Sequence, residues 1–147
     1  MSLKDRITED MKTAMRAKDS ERLGTIRMLQ AAIKQREVDE RITLDDGQVV
    51  AVIEKMVKMR KESLAMFATG GRDDLVAKEN KEIDLLQGYL PEQLSDAELD
   101  ALIAQAIAES GATSIKEMGK AMAVLKQKTQ GRADMAVASA RLKAKLA

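Results

Sequence analysis

The residues best placed to do chemistry in this 147-residue chain are cations near its end. Between residues 114 and 147 lie Lys116, Lys120, Lys126, Lys128, Arg132, Arg141, Lys143 and Lys145, against only Glu117 and Asp134, a net charge of +6. Residues 1–94 are close to neutral, with 17 basic and 18 acidic side chains. Such asymmetry points to an anionic partner. Within the basic segment, Gly131-Arg132-Ala133-Asp134 reads as a turn between two helices. The helix that follows it would aim free N–H groups and a positive dipole end at an anion. Lys120, Lys126, Lys128, Arg132, Arg141 and Lys145 are therefore the candidate phosphate-contacting residues. The plainer reading is local: Gly131 ends one helix, Asp134 caps the next, and lysines gather at helix C-termini because the dipole favours them there. No aromatic residue interleaves the cations, so contact to a nucleic-acid backbone is expected rather than base stacking.

Other chemistries are cut back by composition. There is no histidine and no cysteine. Ser–His and Cys–His nucleophiles, disulfides and thiolate ligands are absent, and so is the commonest ligand for zinc, copper and iron. A carboxylate-only metal site stays open on paper, and Glu79 with Glu82 forms the one acid pair worth weighing for acid–base work or Mg²⁺. The expected alternative is a structural ion-pair network joining Glu79, Asn80 and Glu82 to Arg27, Gln30 and Lys34. No catalytic residue, metal or cofactor is expected. Met1–Arg6 is followed by no long apolar run, and no stretch approaches the roughly 20 apolar residues that span a bilayer. A cytoplasmic protein without membrane contact is expected.

These side chains must be positioned by helices. Ala, Leu, Met, Glu, Lys and Gln dominate, and Phe67 and Tyr89 are the only aromatics. Apolar periodicity predicts helices over about 2–17, 20–39, 46–68 and 73–87. Ser2 and Asp45 or Asp46 sit at the starts, and Gly70-Gly71 and Gly88 at the stops. Met15 belongs to the first stripe, and either Met59 or Arg60 to the third. Four helices on short loops read as an antiparallel bundle, one pair of which protrudes as a hairpin. Pro91, the only proline, blocks continuation. After it, Ser95-Asp96-Ala97-Glu98 and Ser114-Ile115-Lys116-Glu117 are both capping-box patterns. They open a fifth and a sixth helix, and a seventh starts at Ala133 or Asp134. Gly119, inside the sixth, reads as a site of close helix packing. The fold class is all-α: an N-terminal four-helix region over 1–90 and a three-helix region over 91–147. Tyr89 and Leu90 are expected to pack the junction.

Three blocks carry a family resemblance: Leu23-Gly24-Thr25-Ile26-Arg27-Met28-Leu29-Gln30-Ala31-Ala32-Ile33-Lys34, then Glu79 through Gln87-Gly88-Tyr89-Leu90-Pro91, then Met118-Gly119-Lys120 through Lys126 and on to Gly131-Arg132-Ala133-Asp134. In this order they resemble the GatB/YqeY-like proteins, small free-standing bacterial proteins similar to the C-terminal tail of the GatB component of the glutamyl/aspartyl-tRNA amidotransferase. The resemblance implies a helical bundle followed by a three-helix tail domain, and contact with tRNA or a tRNA-handling protein. By association it also implies a carbon–nitrogen ligase activity with glutamine as amido donor. The catalytic machinery of that enzyme lies in its other domains and components. The function expected is a non-catalytic accessory protein that binds tRNA through its basic C-terminal helices. A protein-interaction adaptor, with a patch around Met56, Met59 or Phe67, is the alternative. Oligomeric state is left open.

Overall fold

A computed structural model describes residues Met1–Ala147 and contains helices only. They are α1 (Leu3–Arg16), α2 (Ser20–Glu40), α3 (Asp46–Thr69), α4 (Asp73–Gln87), α5 (Asp96–Ser110), α6 (Met118–Thr129) and α7 (Met135–Leu146), with a 3-10 turn at Ile115–Glu117. Local chemistry sets most boundaries. Ser2 and Asp5, Asp45 and Gln48, and Ser95 and Glu98 form reciprocal capping boxes that satisfy the first free N–H groups of α1, α3 and α5. Gly111, at φ 71, takes the left-handed conformation that ends α5. The second box expected after Pro91 does not form. Thr113 offers both its N–H and its hydroxyl to Glu117 Oε1, so that carboxylate turns away from Ser114, whose side chain makes no cap. Residues 115–117 tighten into the 3-10 turn and α6 starts at Met118.

The chain forms two compact units, Met1–Leu90 and Pro91–Ala147. In the first, Ile7 and Ala14 of α1 meet Ile26, Leu29 and Ile33 of α2, Val49, Ile53 and Val57 of α3, and Ile83 and Leu86 of α4. Met15, expected in the stripe of α1, lies half-exposed at the helix end. Loop Arg41–Asp45 is fixed by Glu37, which takes Lys4 Nζ at 2.6 Å and the Leu44 N–H at 2.9 Å. These two bonds hold the Glu37 carboxyl below its ordinary range. No residue between Lys58 and Arg72 is fully buried, and within that stretch Leu64 packs partly buried against the core.

Tyr89 packs in the core of the first unit. It is 5% exposed and packs with the α1 and α4 core. Its hydroxyl donates to Asp10 Oδ2 at 2.6 Å. The Arg6 guanidinium lies 5.0 Å from its ring centroid and donates to the Gly88 carbonyl at 3.2 Å. Burial, then the Asp10 hydrogen bond, pushes the phenol well above its ordinary value, so it stays a donor at any physiological pH. The end of α4 is thereby tied to α1.

Arg60, rather than Met59, is the inward residue of its pair. Its guanidinium sits between α3 and α4, 2.6 Å from Glu82 Oε2 and 3.6 Å from Glu79 Oε2. All three side chains are at most 15% exposed. Arg60 Nε and Glu79 Oε2 are buried without a hydrogen bond. The expected network to α2 is thus replaced by one to α3, because the acids on α4 face α3 and Arg27 and Lys34 face outward. Taking the arginine away leaves two carboxylates in a poorly solvated place, which is the costly way to break a buried pair.

In the second unit Leu99, Ile103, Leu125 and Leu142 form the core, and Ala106, Ala121 and Ala138 are wholly buried among them. The close helix crossings are made at these alanines. Gly119 does not make one: it is exposed, with nothing within 4 Å of where a Cβ would stand.

Three stability outcomes follow from this packing. Arg60→Met costs about 3 kcal/mol by denaturant unfolding, while the triple variant Arg60→Met/Glu79→Gln/Glu82→Gln recovers more than half of that loss. An additive triple variant contradicts the buried-network account. Tyr89→Phe costs about 1–2 kcal/mol for the lost bond to a charged acceptor, an effect abolished in an Asp10→Ala background. Gly119→Ala raises stability by about 0.5 kcal/mol, where a tight crossing would have made it destabilising.

Candidate nucleic-acid interface

Around the expected turn, Gln130 (φ 25) and Gly131 (φ 80) reverse the chain sharply between α6 and α7. The reversal is fastened to the incoming strap of residues 91–94. The Leu94 N–H donates to the Arg132 carbonyl at 2.7 Å, and Gln93 Nε2 donates to the Gly131 carbonyl at 2.8 Å. Arg132 Nε donates to the Glu92 carbonyl at 3.2 Å. Asp134 caps α7 by accepting from the Ala136 N–H at 2.8 Å. The start of α7 therefore already holds a carboxylate, which occupies the place an anion would take and repels one.

The other candidates divide by whether α5 has claimed them. Arg141 bridges Asp100 at 3.0 Å and Asp96 at 3.1 Å, and the Asp100 bond leads in raising its already high pKa. Lys128 meets Glu109 at 2.8 Å. Asp100 and Glu109 stand nine residues apart on α5, about 13.5 Å along its axis, so Arg141 and Lys128 do not converge on one ligand. Lys120 makes a loose contact of 3.8 Å with Glu117 and stays exposed. Lys126 and Lys145 are exposed and make no ion pair, and the same is true of Lys143, which charge and turn position did not single out. Lys126 lies in the last turn of α6, and Lys143 and Lys145 in the last turn of α7. The signal that separates these residues is the spacing of acids on α5, at 96, 100 and 109, and it acts only once the helices are packed.

In the first unit a groove of about 1000 Å³ runs between the start of α2 and α4, lined among others by Asp19, Arg22, Gly24, Met28, Lys78 and Leu85. Asp19 caps α2 by accepting from the Arg22 N–H, and Glu21 faces Lys81 at 3.7 Å. Glu79 and Glu82 turn to Arg60, so neither stands free as an acid or base. No helix is long and apolar enough to cross a membrane.

Comparison with known proteins places this arrangement. Similar relatives are named altered inheritance of mitochondria protein 41, mitochondrial. The protein of that name from Eremothecium gossypii is 44% identical over 85 residues, which is 57% of this chain and 46% of the relative. The one from Pyrenophora tritici-repentis is 34% identical over 126 residues, 82% of this chain and 70% of the relative. The chain thus spans about half the length of the first. These relatives are fungal and named as mitochondrial, where the sequence resemblance pointed to bacterial proteins and the lack of a long apolar run to the cytoplasm. The model of the Yqey-like protein family matches residues 4–146, nearly the whole chain, and the chain belongs to that family.

Proposed function

We propose that this protein is a non-catalytic accessory factor that binds tRNA through its C-terminal unit by contact with backbone phosphates. The observation that carries the reading is the set of exposed, unneutralised lysines at the C-terminal turns of α6 and α7: Lys126, Lys143 and Lys145. Lys120 adds to them. Each lysine that neutralises a phosphate displaces a counterion, so affinity falls with salt. Arg132 and Arg141 act one step back: one holds the strap against the turn and the other holds α7 against α5. Without aromatic side chains near these lysines, recognition is by charge and shape. The absence of histidine and cysteine, and the commitment of Glu79 and Glu82 to Arg60, support a role without catalysis. The amidotransferase association then concerns a shared partner and not a shared reaction. For the site of action, the relatives' names support mitochondria.

A second reading, a protein-interaction adaptor, is favoured by Met59 and Met66, which are 57% and 74% exposed and seven residues apart on α3. Met56 packs against the core and takes no part. A protein partner that stays bound after nuclease treatment supports this reading.

Filter binding with bulk tRNA across a salt series tests the leading reading. Wild type shows affinity falling steeply with salt. Lys126→Ala/Lys143→Ala/Lys145→Ala lowers the log–log salt slope by about 2 to 3 while helical circular dichroism is unchanged. Salt-independent binding, or an unaltered slope in the triple variant, removes the C-terminal lysines from the account.

A further inference from the structure

Along α2 a second cationic surface emerges that composition alone hides, because the first unit is neutral in sum. Gly24, Arg27, Ala31, Lys34, Val38 and Arg41 are all exposed and follow one another at intervals of three and four. That spacing places the first five on one face of the helix, and Arg41, in the left-handed conformation that caps α2, follows at its end. Arg27 and Lys34 stand seven residues, about 10.5 Å, apart along the axis, and Arg41 extends the basic ridge past the helix end. None of the three makes an ion pair or a side-chain hydrogen bond. The residues between them are small or apolar, leaving the basic side chains as the highest features of the face.

Each acid of α2 itself has a partner other than the ridge. Glu37 lies closest to Lys34 and feels its charge, but its carboxylate is held by Lys4 and the Leu44 N–H. Glu40 pairs with Arg36. Asp39 accepts from Gln35 at 2.9 Å. Glu21 faces Lys81 across the groove to α4. Glu79 and Glu82, the acids that sequence reasoning assigned to Arg27 and Lys34, are taken by Arg60. The ridge therefore keeps its positive charge for a partner.

We propose that the exposed face of α2, through Arg27, Lys34 and Arg41, is a second phosphate-binding surface that follows the backbone of an RNA. The proposal rests on the RNA-binding reading above and adds to it a contact in the first unit. A nucleic-acid backbone is favoured over an acidic protein segment because the ridge offers repeated point charges on long, flexible stems, with Val38 the only large apolar side chain in the stripe itself. Point charges of this kind neutralise phosphates without fixing a register, whereas a protein interface draws on a buried apolar centre.

Fluorescence anisotropy with bulk tRNA over a salt series tests it in four proteins: wild type, Arg27→Ala/Lys34→Ala, Arg27→Lys/Lys34→Arg, and the C-terminal triple-lysine variant. The alanine pair is expected to lower the salt slope by about 1.4 to 1.8 and weaken binding at low salt, and the charge-keeping pair to match wild type. Both positions are exposed, so circular dichroism stays unchanged. An alanine pair with wild-type affinity and slope, beside a triple variant that loses binding, overturns the α2 surface and leaves the C-terminal reading standing. Wild type with no salt-dependent tRNA binding overturns both. Binding to polyglutamate but not to tRNA assigns the ridge to an acidic protein and overturns the proposal.

Discussion

Where each cation finds its counter-ion decides what this molecule can offer a partner. One-third of the residues are charged, and the two signs nearly cancel. Some of the cations are paired within the fold. Residues 91–147 carry eight basic side chains and seven acidic ones, and the acids of α5 hold Arg141 at one end and Lys128 at the other. The strongly positive segment of the sequence is thus reduced in the folded unit to the few lysines that α5 does not reach. In the first unit the same constraint acts in reverse. Arg60 draws Glu79 and Glu82 into the α3–α4 seam, and Lys4 draws Glu37 into the α2–α3 corner. Those acids are then missing from the outer face of α2, which is left basic although the unit is neutral in sum.

The energetics of the two kinds of pair differ. Arg60 and its two acids are largely out of water, so the network adds specificity for the α3–α4 pairing more than net stability, and its orphaned Nε and Oε2 atoms show that the match is imperfect. The pairs on α5 are partly solvated and individually worth little. Their consequence is electrostatic: they lower the local positive potential and orient α7 on α5. The strap of residues 91–94 acts alongside them, using backbone groups and Arg132 to fix the α6–α7 reversal.

Much of the fold was legible because helix boundaries depend on neighbours in sequence. The capping pairs at Ser2, Asp45 and Ser95 and the glycine stop at Gly111 need only residues three or four positions away. The Ser114 box failed for an equally local reason, the competing hydroxyl of Thr113. Gly119 failed because a glycine in a helix signals freedom of approach without saying that anything approaches. The candidate site was less legible. Charge counts are blind to which acid each base will meet, and the pairs that matter join residues 41 apart (Asp100 and Arg141), 22 apart (Arg60 and Glu82) and 33 apart (Lys4 and Glu37). The partner of Tyr89 was out of reach for the same reason, since Asp10 lies 79 positions away.

Lysine acetylation footprinting with and without bulk tRNA, read by mass spectrometry, tests the central claim most directly. The account predicts that tRNA protects Lys34, Lys126, Lys143 and Lys145, while Lys128, bound to Glu109, reacts slowly in both states. Protection that is absent, uniform over all lysines, or centred on Lys128 and Lys81 contradicts it.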